Sequence, residues 1–245
     1  MFREYNWALV LYPAASQEVW RVLCSTPTMT EGTSTPPSQI LTRRLRSLIA
    51  NLDATSVEST AKQVCGWIDS SKDHDDRFRG LLQLSADLVL EKAMERPDQD
   101  FHRVLGRFCR ILDTATDGES SRFLTSLWKQ ETHIAGVELA ANDIAEAGSW
   151  PEYVALVAFA GELCDNGLLQ PDALRPSVSA LCGVGSNLGL EVACTLLEAT
   201  GYALCEDPDG MQCFDAAIKV MLSASRGDGI SARIRHRVQV GLQDP

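Results

Sequence analysis

In one segment of this chain after another, apolar residues recur at steps of three and four, the spacing that places them on one face of an α-helix. Phe101, Val104, Leu105, Phe108, Ile111 and Leu112 make the cleanest such stripe. A helix with one apolar face gains most of its stability by hiding that face, so stripes repeated along a chain demand helices packed on helices. Composition agrees: 45% of the 245 residues are hydrophobic but only 7% are aromatic, with Leu and Ala abundant, unlike a sandwich rich in Val, Thr and Tyr. An all-α fold is expected.

The stripes follow one another from Gln39 onward. Leu41, Leu45, Leu48 and Leu52 mark a first helix that ends at Asn51 and Asp53. Thr55 with Glu58 reads as a capping box for a second, which carries Val57, Ala61, Val64, Cys65 and Ile68. The acidic run Asp73 to Asp76 reads as a solvated turn, and beyond it Phe78, Leu81, Leu82, Ser85, Leu88 and Val89 lie on a helix that Pro97 stops. After the 101–112 stripe comes Gly118. Phe123, Leu124, Leu127, Ile134, Val137, Ala141 and Ile144 then fit one long helix running to Gly148. Pro151 and Pro171 each open a helix, the first with Leu156, Ala160, Leu163 and Cys164, the second with Leu174, Val178, Leu181 and Cys182. Leu188, Val192, Leu196 and Leu197 form the next, and Pro208 with Gly210 reads as a turn. The last pair holds Met211, Phe214, Ile218 and Met221, then Ile234, Val238 and Leu242.

Ten helices in five antiparallel pairs, at a spacing of roughly 40 residues, have the period of a HEAT-like solenoid, in which each pair buries its face only against its neighbours. Residues 39–245 are expected to fold as this unit. Residues 1–38 read as an arm: an apolar segment with Trp7, Leu9, Leu11 and Trp20, then a stretch from Ser25 to Ser38 too rich in Ser, Thr, Pro and Gly to supply a core.

A formal charge of -11 repels polyanions, so nucleic acid or anionic membrane would have to be held by a local basic patch, and protein partners are favoured. Arg43, Arg44 and Arg46 form one such cluster, and Arg226, Arg233, Arg235 and Arg237 a second. Both are candidates for RNA phosphates or for ordinary ion-paired surface. The longest apolar run near the start, Trp7 to Tyr12, is too short for a secretory core or a span, and a cytoplasmic chain is expected. Eight single cysteines without a C-x-x-C pair read as reduced, buried thiols.

Chemistry at a catalytic centre finds little support. His74, His102, His133 and His236 have no partner at metal-ligand spacing, and no metal or cofactor is expected. Gly183-Val184-Gly185 with Gly189 has the wrong spacing for a dinucleotide loop and reads as a turn. Asp207-Pro208-Asp209-Gly210 lacks the carboxylates a calcium loop needs, with Cys205 and Ala216 at ligand positions. No nucleophile sits in a recognisable elbow, so the chain reads as a non-catalytic protein.

Five short segments carry a resemblance to a known family. They are Arg46-Ser47-Leu48-Ile49-Ala50-Asn51-Leu52; Leu90-Glu91-Lys92-Ala93-Met94 leading to Pro97; Phe159-Ala160-Gly161-Glu162-Leu163 with Gly167-Leu168-Leu169; Leu190-Glu191 with Leu196-Leu197 and Thr200-Gly201; and Ser231-Ala232-Arg233-Ile234-Arg235. In that order, over about residues 40 to 242, the chain resembles the middle domain of eukaryotic translation initiation factor 4G. The resemblance implies a scaffold in translation initiation or its regulation that binds a DEAD-box RNA helicase of the initiation factor 4A type, with other translation factors as further partners. The family's helicase-contact positions fall on Ile49, Leu52 and Val57, where Val57 replaces an aromatic residue. Ile49 is expected to sit beside the apolar stripe with part of its side chain open to a partner, while Leu52 and Val57 serve core and contact together. The family's basic segment is replaced by the uncharged or acidic stretch Ser149 to Tyr153. An RNA-binding module, or a scaffold of splicing or message surveillance in the same fold family, is the alternative. Tyr5, Val10 and Leu11 approximate a motif for docking on the cap-binding protein, with Val10 in place of Leu, and the segment reads more simply as packing on the first helix pair.

Overall fold

The computed structural model describes residues 37–71, 75–141 and 150–240. The arm with Tyr5, Trp7, Val10, Leu11, Trp20 and Cys24 lies outside the described residues, as do His74, Ile144 and Leu242. Within them are ten helices and no strand: α1 (Pro37–Ala50), α2 (Val57–Asp69), α3 (Asp75–Glu95), α4 (Gln99–Ala115), α5 (Glu119–Ala141), α6 (Trp150–Asp165), α7 (Pro171–Cys182), α8 (Asn187–Leu204), α9 (Pro208–Ala224) and α10 (Ala232–Val240). The all-α expectation holds.

Helices two places apart in the chain pack on one another. α1, α3, α5, α7 and α9 follow one another in this way, and α2, α4, α6, α8 and α10 form a second succession. Sequence neighbours also touch, α7 and α8 most extensively, and α3 lies against α6, joining the two rows. The contact of α6 with α8 is the largest, and small residues make it close. A Cβ on Gly161 would stand 2.8 Å from the Ala199 carbonyl oxygen, so only glycine lets these backbones approach so near.

The stripes read from sequence form one continuous core, with Leu45, Leu105, Phe108, Leu156, Leu174, Leu196 and Ile234 among its members. Burial of roughly 1.5 to 3 kcal/mol for each such side chain drives the stacking. Two assignments change. Val137 faces outward, because α5 instead buries Leu124, Leu127, Trp128, Thr132, Ala135 and Leu139, a stripe centred on Trp128. Met211 is half-exposed, since α9 turns Phe214, Ala217 and Met221 to its neighbours.

Helix starts also differ in detail. The capping box ahead of α2 uses Asp53 and Ser56, not Thr55 and Glu58: the Asp53 carboxylate accepts the Ser56 N–H at 2.7 Å, while Ser56 Oγ accepts the Asp53 N–H at 3.0 Å. Glu58 instead reaches across to Arg107 of α4. Pro208 to Gly210 is the first turn of α9 rather than a free turn, with Asp207 accepting the Gly210 N–H at 2.7 Å as its cap.

His102 ties three helices together. Its Nε2–H donates to the Ala93 carbonyl at 3.0 Å and its ring lies 5.3 Å from that of Phe159, so a residue on α4 joins the end of α3 to α6. Burial holds the imidazole below its ordinary pKa.

Candidate functional site

The corner between α1 and α2 carries Ile49, Leu52 and Val57, the positions to which the resemblance assigns a helicase contact, and its geometry follows from the chain's need to reverse direction there. Asp53 organises it: the carboxylate accepts the Thr55 N–H at 2.8 Å and hydroxyl at 2.7 Å as well as the Ser56 N–H. The Thr55 hydroxyl, then the Ser56 amide and the remaining donors, hold this carboxyl at a pKa of about 2. Asn51 closes the other side, its amide donating to the Ser47 carbonyl at 2.7 Å.

The three apolar positions lie beneath this corner. Ile49, Leu52 and Val57 are 0%, 3% and 1% exposed. The expectation that Ile49 leaves part of its side chain open is overturned: a residue at the edge of the α1 stripe is covered once α2 and α3 close on that helix from two sides. Leu52 and Val57 keep the core half of their expected double role. The surface they support consists of Ala50, Asn51, Asp53, Ala54 and Thr55, all exposed.

The two arginine clusters divide. Arg46 reaches Glu91 of α3 at 3.3 Å. Arg233 binds Glu191 at 2.6 Å, and Arg237 grips Glu198 with two nitrogens, at 3.0 and 2.6 Å, while its third lies 3.7 Å from Glu191. These arginines join α1 to α3 and α8 to α10. Arg43, Arg44, Arg226 and Arg235 are exposed and make no ion pair with a described residue; Arg235 reaches only the Gly227 carbonyl, at 3.4 Å. Segments that carried the family resemblance are thus largely joints between helices: Arg46 with Glu91, Gly161 under Ala199, Glu191 with Arg233.

A basic feature outside those clusters emerges on α4. Arg103, Arg107 and Arg110 recur at steps of four and three and so share one face, and Arg96 lies in the non-helical segment just before α4. All four are more than half exposed, each beside a carboxylate: Asp98, Asp100, Glu58 and Asp113 respectively. Arg103 also lies 3.7 Å from Glu162 of α6, whose carboxyl burial pushes upward. The signal for this face in the sequence is helical spacing of arginines rather than their adjacency. Between this face and α2 lies an open groove of 510 Å³, lined by Lys62, Cys65, Gly66 and Asp69 on one side and Arg110, Ile111 and Thr114 on the other.

None of the seven described cysteines forms a disulfide. Burial pushes the thiols of Cys164 and Cys182 up to about 12 and that of Cys194 to about 11, so they remain protonated at neutral pH. The Cys182 thiol points at the Met221 sulfur, 3.6 Å away. Among the described residues no group of histidine, cysteine and carboxylate side chains is placed to hold a metal, and no helix is long and apolar enough to cross a membrane. The turn Gly183–Gly185 is a packing device: a Cβ on Gly189 would collide with the side chain of Val184. Comparison with known proteins finds no family model and no curated protein that matches the chain.

Proposed function

We propose that this chain is a non-catalytic scaffold of translation initiation or its regulation, built as a HEAT-like stack of helix pairs, that binds a DEAD-box RNA helicase of the initiation factor 4A type. The observation that supports the reading is the packing of each helix on the one two places along, which suits a chain that offers partners a continuous surface rather than an enclosed cleft. The helicase contact is assigned to the α1–α2 corner. Its working surface is Ala50, Asn51, Ala54 and Thr55, with Ile49, Leu52 and Val57 acting from below to set the shape of that surface.

The test places bulk and charge on the corner without touching the core. Calorimetric titration of the whole chain with a DEAD-box helicase should give saturable binding, and Ala50→Arg with Ala54→Arg should weaken it by about tenfold or more, as a block at an interface centre does. The thermal midpoint should stay within about 2 °C, because both positions are exposed. Titration with single-stranded RNA separates the alternative: phosphate-driven binding falls steeply between about 50 and 200 mM salt and gains from added arginines. Tight, salt-sensitive RNA binding together with no helicase binding would replace the scaffold reading with the RNA-binding one.

A further inference from the structure

The opposite end of the helix succession carries a cleft with a different chemistry. Where α8 passes into α9, the turn Cys205–Asp207 and the α9 residues Pro208, Met211, Gln212 and Asp215 line an open cleft of 440 Å³. Its walls are fixed before any ligand arrives. Cys205 N–H bonds to the Gly201 and Tyr202 carbonyls, at 3.0 and 3.1 Å, so the helical turn continues past α8. Asp207 caps α9, and the backbones meet so closely that a Cβ on Gly210 would run into the Leu204 carbonyl oxygen. From outside, the Arg175 guanidinium sits 3.7 Å from both Asp207 and Asp209 and also binds Asp172.

Two further properties are independent of that rigidity. Met211 is 50% exposed and Tyr202 is 81% exposed, the largest exposure of any large hydrophobic residue among the described ones. Tyr202 does not line the cleft itself but stands in the last turn of α8, three residues before Cys205, whose N–H bonds to the Tyr202 carbonyl. Around this apolar patch the charge is negative: Glu206 and Asp215 are exposed and make no ion pair with a described residue. Arg175 is already held by Asp172, Asp207 and Asp209, and Lys219, exposed one turn along α9 from Asp215, leaves the surroundings of the cleft acidic on balance. The Cys205 thiol, raised first by burial, is raised further by Asp215.

We infer that this cleft docks a short, basic, amphipathic segment of a partner protein, with an apolar side chain seated on Met211 and Tyr202 and Lys or Arg side chains reaching Glu206 and Asp215. The occupant follows from charge and shape. Nucleic acid and anionic lipid are repelled by the unpaired carboxylates. A cation alone leaves the exposed aromatic without a role, whereas the aliphatic stem and charged head of Lys or Arg use both, including contact with the tyrosine face. A preformed cleft requires little ordering of the scaffold on binding, which favours a short segment. The inference concerns a surface distant from the α1–α2 corner in sequence and stands without the helicase assignment.

The probe is a fluorescein-labelled peptide of alternating leucine and lysine, read by anisotropy at physiological salt against its leucine–glutamate counterpart. The basic peptide should bind the full chain at least about tenfold more tightly than the acidic one. Glu206→Lys with Asp215→Lys should abolish that preference, and Tyr202→Ser with Met211→Ser should weaken binding by about five- to 30-fold. Asp228→Lys with Glu95→Lys, an equal charge change at exposed sites elsewhere, should alter it less than about twofold. An equal loss in the remote variant means general attraction to an acidic protein and overturns the inference. So does undiminished binding in the Tyr202 and Met211 variant. Concentration-dependent self-association of the native chain that the Glu206 and Asp215 variant loses would assign the cleft to a second copy instead.

Discussion

Replacing Ile49 by Ala asks whether the α1–α2 corner is a core element or a contact. Ile49 is fully buried in one cluster with Leu45, Leu52 and Val57, so truncation removes three carbons from the core and leaves a cavity. At about 0.8 kcal/mol for each buried methylene, transfer alone is worth about 2.4 kcal/mol, and the cavity brings isoleucine-to-alanine changes to about 2 to 5 kcal/mol. For a domain of this size each kcal/mol lowers the thermal midpoint by about 2 to 4 °C, so a fall of about 5 to 20 °C is expected. Urea titration followed by circular dichroism should show an earlier midpoint with the slope unchanged, the mark of lost stability without a changed denatured state. Helicase binding, measured well below the variant's own transition, should fall only as far as the corner loses its shape. An unfolding free energy within about 0.5 kcal/mol of the native protein's, with binding lost, would refute this: the side chain would then be a surface contact.

His102 gives a pH dependence of defined sign. Its imidazole is depressed by burial in the folded state, so the unfolded chain takes up the proton first; stability is complete above the ordinary value of 6.5 and falls as pH drops through and below it. Urea midpoints at about pH 7.5 and 5.5 should differ in the native protein and differ less in His102→Asn, and identical differences in the two would remove His102 as the cause. Three glycines should rank by what their Cβ would meet. Gly210→Ala drives into a backbone carbonyl and should cost more than about 2 kcal/mol; Gly201→Ala meets the edge of the Phe214 ring at 2.9 Å, which can tilt, and should cost less. Gly66→Ala, with open space around it inside α2, should stabilise by about 0.5 to 1 kcal/mol, and any other order in the measured melts would contradict the packing described for the α8–α9 corner.

The helices themselves were legible because a helix is a local object. Phe101, Leu105, Phe108 and Leu112 share a face by their spacing alone, and all four are buried. Caps were legible only to within a residue or two: Thr55 and Glu58 fit the capping pattern as well as Asp53 and Ser56 do, and Glu58 is drawn away by Arg107, 49 residues distant. On α5 the spacing permitted two stripes, and Trp128 rather than Val137 marks the buried one because α3 and α7 close on that side.

The amino-acid sequence by itself therefore determined the all-helical class, the approximate helix bounds and most of the core, since these depend on residues three and four apart. Tertiary structure alone decided the fate of the candidate site residues. Arg46 meets Glu91 and Arg233 meets Glu191, pairs 45 and 42 residues apart that no local pattern joins, while Arg43 and Arg44 in the same cluster stay exposed. Ile49 is covered and Tyr202 exposed although both belong to apolar-rich helices. The reason is that burial at the edge of a stripe is set by whether a second neighbouring helix closes over it, and that neighbour is chosen by the packing of the rows.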